Sequence, residues 1–131
     1  MQTYTIVFPV KANDLDELNH VNNIRYVEWI QEVSKKHWLS VTDIKTREGL
    51  IWVVRNHEIS YHKSAQLGDD IQIETHIAET KGPISKRVVE IKNNKTGALL
   101  VKGITEWCLL DAATFRPRRV PEAVQQLFNN T

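Results

Sequence analysis

The stretch Asn13-Asp14-Leu15-Asp16-Glu17-Leu18-Asn19-His20-Val21-Asn22-Asn23-Ile24-Arg25-Tyr26-Val27-Glu28-Trp29-Ile30 changes character at Asn22, and that change decides how the chain is read. On its N-terminal side Lys11 to Asn19 is dominated by polar residues and reads as a loop. On its C-terminal side Ile24, Val27, Ile30 and Val33 recur at helical spacing, and Trp29 and Trp38 widen the apolar stripe. Asn22 is placed to cap that helix with its side-chain oxygen. A helix from Asn23 to about Trp38 would be roughly 24 Å long at about 1.5 Å per residue, enough to cross one face of a small sheet.

The strands of that sheet are sought on both sides of the helix. Upstream, Tyr4, Ile6, Phe8 and Val10 alternate with Thr5, Val7 and Pro9, a strand pattern in which Pro9 marks an edge or a strand end. Downstream of a polar link from Thr42 to Gly49, four segments are rich in Val, Ile, Thr and aromatic residues: Leu50–His62, Asp70–Thr80, Ser85–Asn93 and Ala98–Leu110. Leu67-Gly68-Asp69, Lys81-Gly82-Pro83 and Asn94-Lys95-Thr96-Gly97 separate the last of them as turns, short enough for antiparallel neighbours. The order strand, helix, four strands predicts an α+β domain with a five-stranded antiparallel sheet wrapped around one long helix. A basic, proline-punctuated link from Arg116 leads to a short helix over Pro121–Phe128, expected to dock on the surface.

Composition narrows the function classes. The 131 residues are expected to make one domain. With 17 basic against 16 acidic residues the net charge is +1, so no global field draws the chain to nucleic acid or anionic lipid. Cys108 is the single cysteine, which removes disulfide frameworks and cysteine-based zinc spacing and favours a reducing compartment. His57, His62 and His76 lack the paired spacing of metal ligands, and no metal or cofactor is expected. No window approaches the roughly 18 apolar residues of a membrane span, and the N-terminus does not read as a leader, so the cytoplasm is the expected location.

The opening stretch resembles the hotdog thioesterases of the 4-hydroxybenzoyl-CoA thioesterase and acyl-ACP thioesterase families. The likeness is carried by Asp14, Asp16, His20, Val21, Asn22, Asn23 and Tyr26, which match an Asp-x-Asp, a His-Val-Asn-Asn and a Tyr three residues beyond it. It extends more weakly through Ile59 to Thr75 and through the Arg116 to Phe128 tail. The resemblance implies the hotdog fold, hydrolysis of acyl-CoA or acyl-ACP, a place in fatty acid metabolism, and a homodimer or homotetramer with active sites at subunit interfaces. It also makes Asp16 the catalytic carboxylate, as nucleophile or general base.

The chemistry suits these residue types. A thioester carbonyl needs an activated water or a carboxylate nucleophile, and donors for the oxyanion that develops. A helix N-terminus offers unpaired N–H groups and the positive end of a dipole, so amides near Asn22 and Asn23 are candidates for polarising the carbonyl. His20 can orient the carboxylate or protonate the leaving thiolate, or it can serve the loop structurally. The bland alternative for Asp14 and Asp16 is closure of an Asx-turn. Candidate substrate contacts are Asn22, Tyr26 and Ser64, with Lys81, Arg116, Arg118 and Arg119 for coenzyme A phosphates. Trp29, Trp38, Trp52 and Trp107 would suit an acyl pocket or an ordinary core.

The chain departs from the acyl-ACP thioesterase pattern in two places: Leu18 stands where an Asn precedes the His by two residues, and Ser64-Ala65 stand where an acidic residue and Cys are found. Two other readings compete. A hotdog hydratase or dehydratase would need a glycine-containing motif after its His, whereas His20 is followed by Val-Asn-Asn-Ile. A noncatalytic acyl-thioester-binding module is the reading from another class, since a fold alone does not establish chemistry.

Overall fold

The computed structural model describes residues 2–129. Its five long strands are β1 (Tyr4–Pro9), β2 (Leu50–Tyr61), β3 (Asp70–Lys81), β4 (Ile84–Asn93) and β5 (Leu99–Asp111). The helices are α1 (Asn23–Val41), α2 (Ile44–Arg47) and α3 (Glu122–Asn129), with a 3-10 turn at Ala12–Asp14. All four later strands fall within one residue of their expected bounds, and β3 and β4 end at the Lys81-Gly82-Pro83 and Asn94-Lys95-Thr96-Gly97 turns.

The strands form one antiparallel sheet in the order β1-β3-β4-β5-β2. Its two edges, β1 and β2, are therefore the strands that α1 connects in sequence. The intervening chain must cross the whole face, about 19 Å for four strand spacings. The 19 residues of α1 cover roughly 28 Å and make the crossing. This is the hotdog arrangement. Gly103 lies under the crossing point, where a Cβ would sit 2.8 Å from Ile30 Cδ1, so the bare backbone of β5 lets the helix approach closely.

Two apolar clusters result. The larger joins Tyr26, Trp29, Ile30 and Val33 of α1 to Ile71, Ile73, Val89, Ile91 and Val101 of the sheet. The smaller gathers Leu109, Val120, Val124 and Phe128, with Trp38, Val41, Leu50, Trp52 and Ile77 packed against it. The tail helix thus docks as expected, but it buries Val124 and Phe128 in a core of their own. Two β-bulges, between Val54 and Asn56 in β2 and between Ile77 and Glu79 in β3, shift register near the transition between these clusters.

Three local expectations change. Helix α1 continues three residues past Trp38, to Val41, and ends where the Thr42 hydroxyl bonds back to the Trp38 carbonyl at 2.6 Å. Ile24, assigned to the apolar stripe, is 66% exposed; the buried face instead runs through Tyr26, Trp29, Ile30, Val33, Ser34 and His37. The link from Thr42 to Gly49 contains the one-turn helix α2, capped by Asp43 through Thr46 N–H at 2.7 Å.

Candidate active site

The loop before α1 is built from its own backbone. Asp16 N–H donates to the His20 carbonyl at 2.8 Å, and Asn22 N–H to the Asp14 carbonyl at 2.9 Å. Asn19 takes the left-handed conformation at φ 62°, which asparagine tolerates, and the chain turns so that His20 N–H reaches back to Asp16 Oδ1 at 3.2 Å. Leu18 N–H donates to the same oxygen at 2.9 Å. Asp16 therefore does close an Asx-turn, but with one oxygen only. Among the described residues its Oδ2 accepts no hydrogen bond, and the side chain is half-buried.

Asp14 is engaged at both oxygens. Its Oδ2 accepts from Lys11 N–H at 2.8 Å, and its Oδ1 lies 3.2 Å from Arg25 Nε. Of the two carboxylates of the Asp-x-Asp, one is a clasp for the loop and the other retains a free oxygen.

At the helix start Asn22 is the cap, its Oδ1 accepting from Ile24 N–H at 3.1 Å. Arg25 N–H is taken by the Asn22 carbonyl at 2.9 Å. Asn23 N–H has no acceptor among the described residues and stands at the positive end of the helix dipole. The side chain of Asn23 is exposed.

Behind this loop lies the segment after β2. Val21 N–H donates to the Ala65 carbonyl at 2.9 Å, and His20 bridges to Gln66. Ala65 N–H donates to the Tyr26 hydroxyl, also at 2.9 Å. Tyr26 is 2% exposed, stacked edge-on to Trp29 and Tyr61, and burial pushes its hydroxyl above the ordinary tyrosine range. Its position is that of a strut between α1 and Ala65. Ser64, next to Ala65, is exposed. Asp16, His20, Asn22, Asn23, Tyr26 and Ser64 are thus brought together at one end of the sheet.

Lys81 and Arg116 are not. Lys81 closes β3 at the far end from Asp70, roughly 36 Å along the strand at about 3.3 Å per residue. Arg116, whose carbonyl accepts from Asp111 N–H, belongs to that same far end. Arg118 is 3.8 Å from the Asp111 carboxylate.

The sequence reading did not single out a second polar cluster, near the C-terminal end of α1. His37 is wholly buried, and its Nδ1 is 2.9 Å from Arg87 Nη1. A guanidinium can only donate, so Nδ1 is the acceptor and Nε2 carries the proton donated to Gln2 Oε1 at 2.8 Å. Burial, helped by the Arg87 charge, lowers His37 to about 4. The signal was present in β4, where Ser85, Arg87, Val89 and Ile91 alternate on the buried face and an arginine breaks the apolar series.

Among the described residues no helix is long and apolar enough to cross a membrane, and no group of three or more His, Cys, Asp or Glu is arranged to hold a metal ion.

Known proteins share this architecture. A hypothetical protein from Staphylococcus aureus in complex with CoA superposes with a TM-score of 0.88 at 18% identity, covering 98% of this chain and 82% of that one. A 1,4-dihydroxy-2-naphthoyl-CoA thioesterase from Synechocystis gives 0.86 at 15% identity, covering 98% and 97%. In sequence, the chain is 25% identical over 79 residues to the chloroplastic palmitoyl-acyl carrier protein thioesterase of Gossypium hirsutum, covering 60% of this chain. It spans about a fifth of the length of the relatives it matches. The family model described as the acyl-ACP thioesterase N-terminal domain matches residues 1–128, almost the whole length, and the chain belongs to that family.

Proposed function

We propose that this chain hydrolyses acyl thioesters, of coenzyme A or of acyl carrier protein, to the free acid and thiol. The observation that carries the reading is the half-engaged carboxylate of Asp16: Oδ1 is held by Leu18 and His20 N–H, and Oδ2 is unpaired, in the same hydrogen-bonded loop as the unaccepted Asn23 N–H. In the general-base form Oδ2 takes a proton from water as its oxygen attacks the thioester carbon. The carbonyl electron pair moves onto oxygen, where Asn23 N–H stabilises it. Collapse of the intermediate breaks the C–S bond, and the thiolate takes up a proton, with His20 as its donor. In the nucleophilic form Oδ2 itself attacks, and water then cleaves the mixed anhydride.

The site is read as shared between two copies. Strand β2 leaves a 12-residue edge unpaired among the described residues, long enough to template a second copy. Antiparallel pairing of two β2 edges would place the far end of one protomer, with Lys81 and Arg116, against the Asp16 end of the other. Those cations then become the contacts for coenzyme A phosphates.

The test is thiol release from a panel of short, long and aromatic acyl-CoA substrates by the parent protein and by Asp16→Asn. The expected result is turnover by the parent and a loss of about a hundredfold or more in kcat/KM in the folded variant, at least ~2.7 kcal/mol of barrier. Binding of several thioesters without cleavage of any would replace hydrolysis with a noncatalytic acyl-thioester-binding role.

A further inference from the structure

A cavity of about 500 Å³ opens beside the C-terminal half of α1. Its walls include Trp38, Trp52, Ile77, Trp107 and Phe128, and Arg87 and Ser85 also line it. Arg87 is only 4% exposed. Its Nη1 donates to His37 Nδ1 at 2.9 Å and to Thr75 Oγ1 at 3.1 Å, and its guanidinium carbon stands 5.8 Å from the centre of the Phe128 ring. Nε and Nη2 have no acceptor among the described residues, and no carboxylate lies within salt-bridge distance of the group. Nor does the neutral His37 supply a counter-charge. Trp107, another lining residue, has its indole nitrogen buried without a partner.

An unpaired buried cation is costly, and the cost is relieved by an anion that brings its own hydrogen-bond acceptors. The Nε and Nη2 donors of one guanidinium form a planar fork, which matches the two oxygens of a carboxylate. Trp38, Leu50, Trp52, Ile77, Trp107 and Phe128 form an apolar and aromatic wall suited to a hydrocarbon or aryl body, and the volume is that of a small-molecule site. Glu28, Glu32 and Lys35 line the cavity too, but they are exposed, and Arg25 engages Glu28 at 3.3 Å.

We propose that this cavity is a binding site for an apolar-bodied monocarboxylate, its carboxylate seated on the Nε and Nη2 of Arg87 and its body between the tryptophans and Phe128. The inference concerns binding alone and stands apart from the thioesterase reading.

Three of the four tryptophans line the cavity, so intrinsic fluorescence reports occupancy. Titration with decanoate, decanamide and 1-decanol compares ligands of equal chain length that differ at the head group. The expected result is decanoate binding at least tenfold tighter than either neutral ligand, with Arg87→Gln bringing decanoate to the level of the alcohol and Lys35→Gln leaving the preference in place. Equal affinity of the three ligands for the parent protein overturns the proposal without need of any variant. So does loss of the preference in Lys35→Gln, its persistence in folded Arg87→Gln, or no binding of decanoate.

Discussion

The two ends of α1 handle polar groups in opposite ways. At the N-terminal end a carboxylate, a cap and backbone amides lie in a water-accessible loop whose bonds are mostly local, and Asp16 Oδ2 and the Asn23 N–H are left without partners among the described residues. At the C-terminal end an imidazole and a guanidinium are buried together, joined by contacts spanning 35 and 50 positions in sequence. An open end lets groups change protonation or partners at little cost, as chemistry requires. A closed end makes any such change a matter of the whole fold's stability.

The largest effect expected from that contrast is on pH dependence at the closed end. The folded value of His37, about 4, lies below the ordinary value of 6.5, so the folded state binds fewer protons between them. The stability contributed by the neutral imidazole is complete above about pH 6.5 and is lost as pH falls toward about 4. Over that window it amounts to the order of 3 kcal/mol. Urea unfolding at pH 7 and 4.5 should show this loss in the parent and a much shallower one in His37→Gln; parallel slopes would break the contrast. Next in size is the hundredfold loss in Asp16→Asn, accompanied by a thermal midpoint within about 2 °C of the parent, because the amide oxygen still closes the turn. Asp14→Ala should do the reverse. Losing the Lys11 and Arg25 contacts costs about 2 kcal/mol, read as a lower urea midpoint at unchanged slope. Smallest is Asn22→Ala, about 1 kcal/mol for the lost cap, with Asn22→Asp close to neutral.

Sequence patterns revealed the open end because its interactions are short-ranged. The cap at Asn22, the turn at Asp16 and the helix beyond them are decided within a few residues, and the strands announced themselves by alternation and turn residues. Local pattern did not reveal which carboxylate is consumed: Asp14 is taken by Arg25, eleven positions on, a pairing that only the folded loop creates. Ile24 misled for a different reason: it lies on the helix face opposite Tyr26, Trp29, Ile30 and Val33, so its apolar character does not place it toward the sheet. The His37 and Arg87 pair lay beyond any local rule, because its partners come from α1, β4, β3 and the segment before β1.

The bulge in β2 carries a consequence for changes in chain length. Before it, Trp52 and Val54 face inward; after it, His57 and Ile59 do. Strict alternation from Val54 would instead turn Asn56, Glu58 and Ser60 toward the helix. One extra residue therefore acts as a phase correction that lets a single strand serve two cores. Deleting Arg55 would remove the bulge and still leave Trp52, Val54, His57 and Ile59 facing inward, whereas an extra residue within the regular stretch from Asn56 to Tyr61 would throw one side of β2 out of phase, and an added residue in the exposed Ala113–Phe115 turn leaves every strand in phase. For this strand, insertions and deletions are tolerated according to whether they preserve the phase of alternation rather than by size.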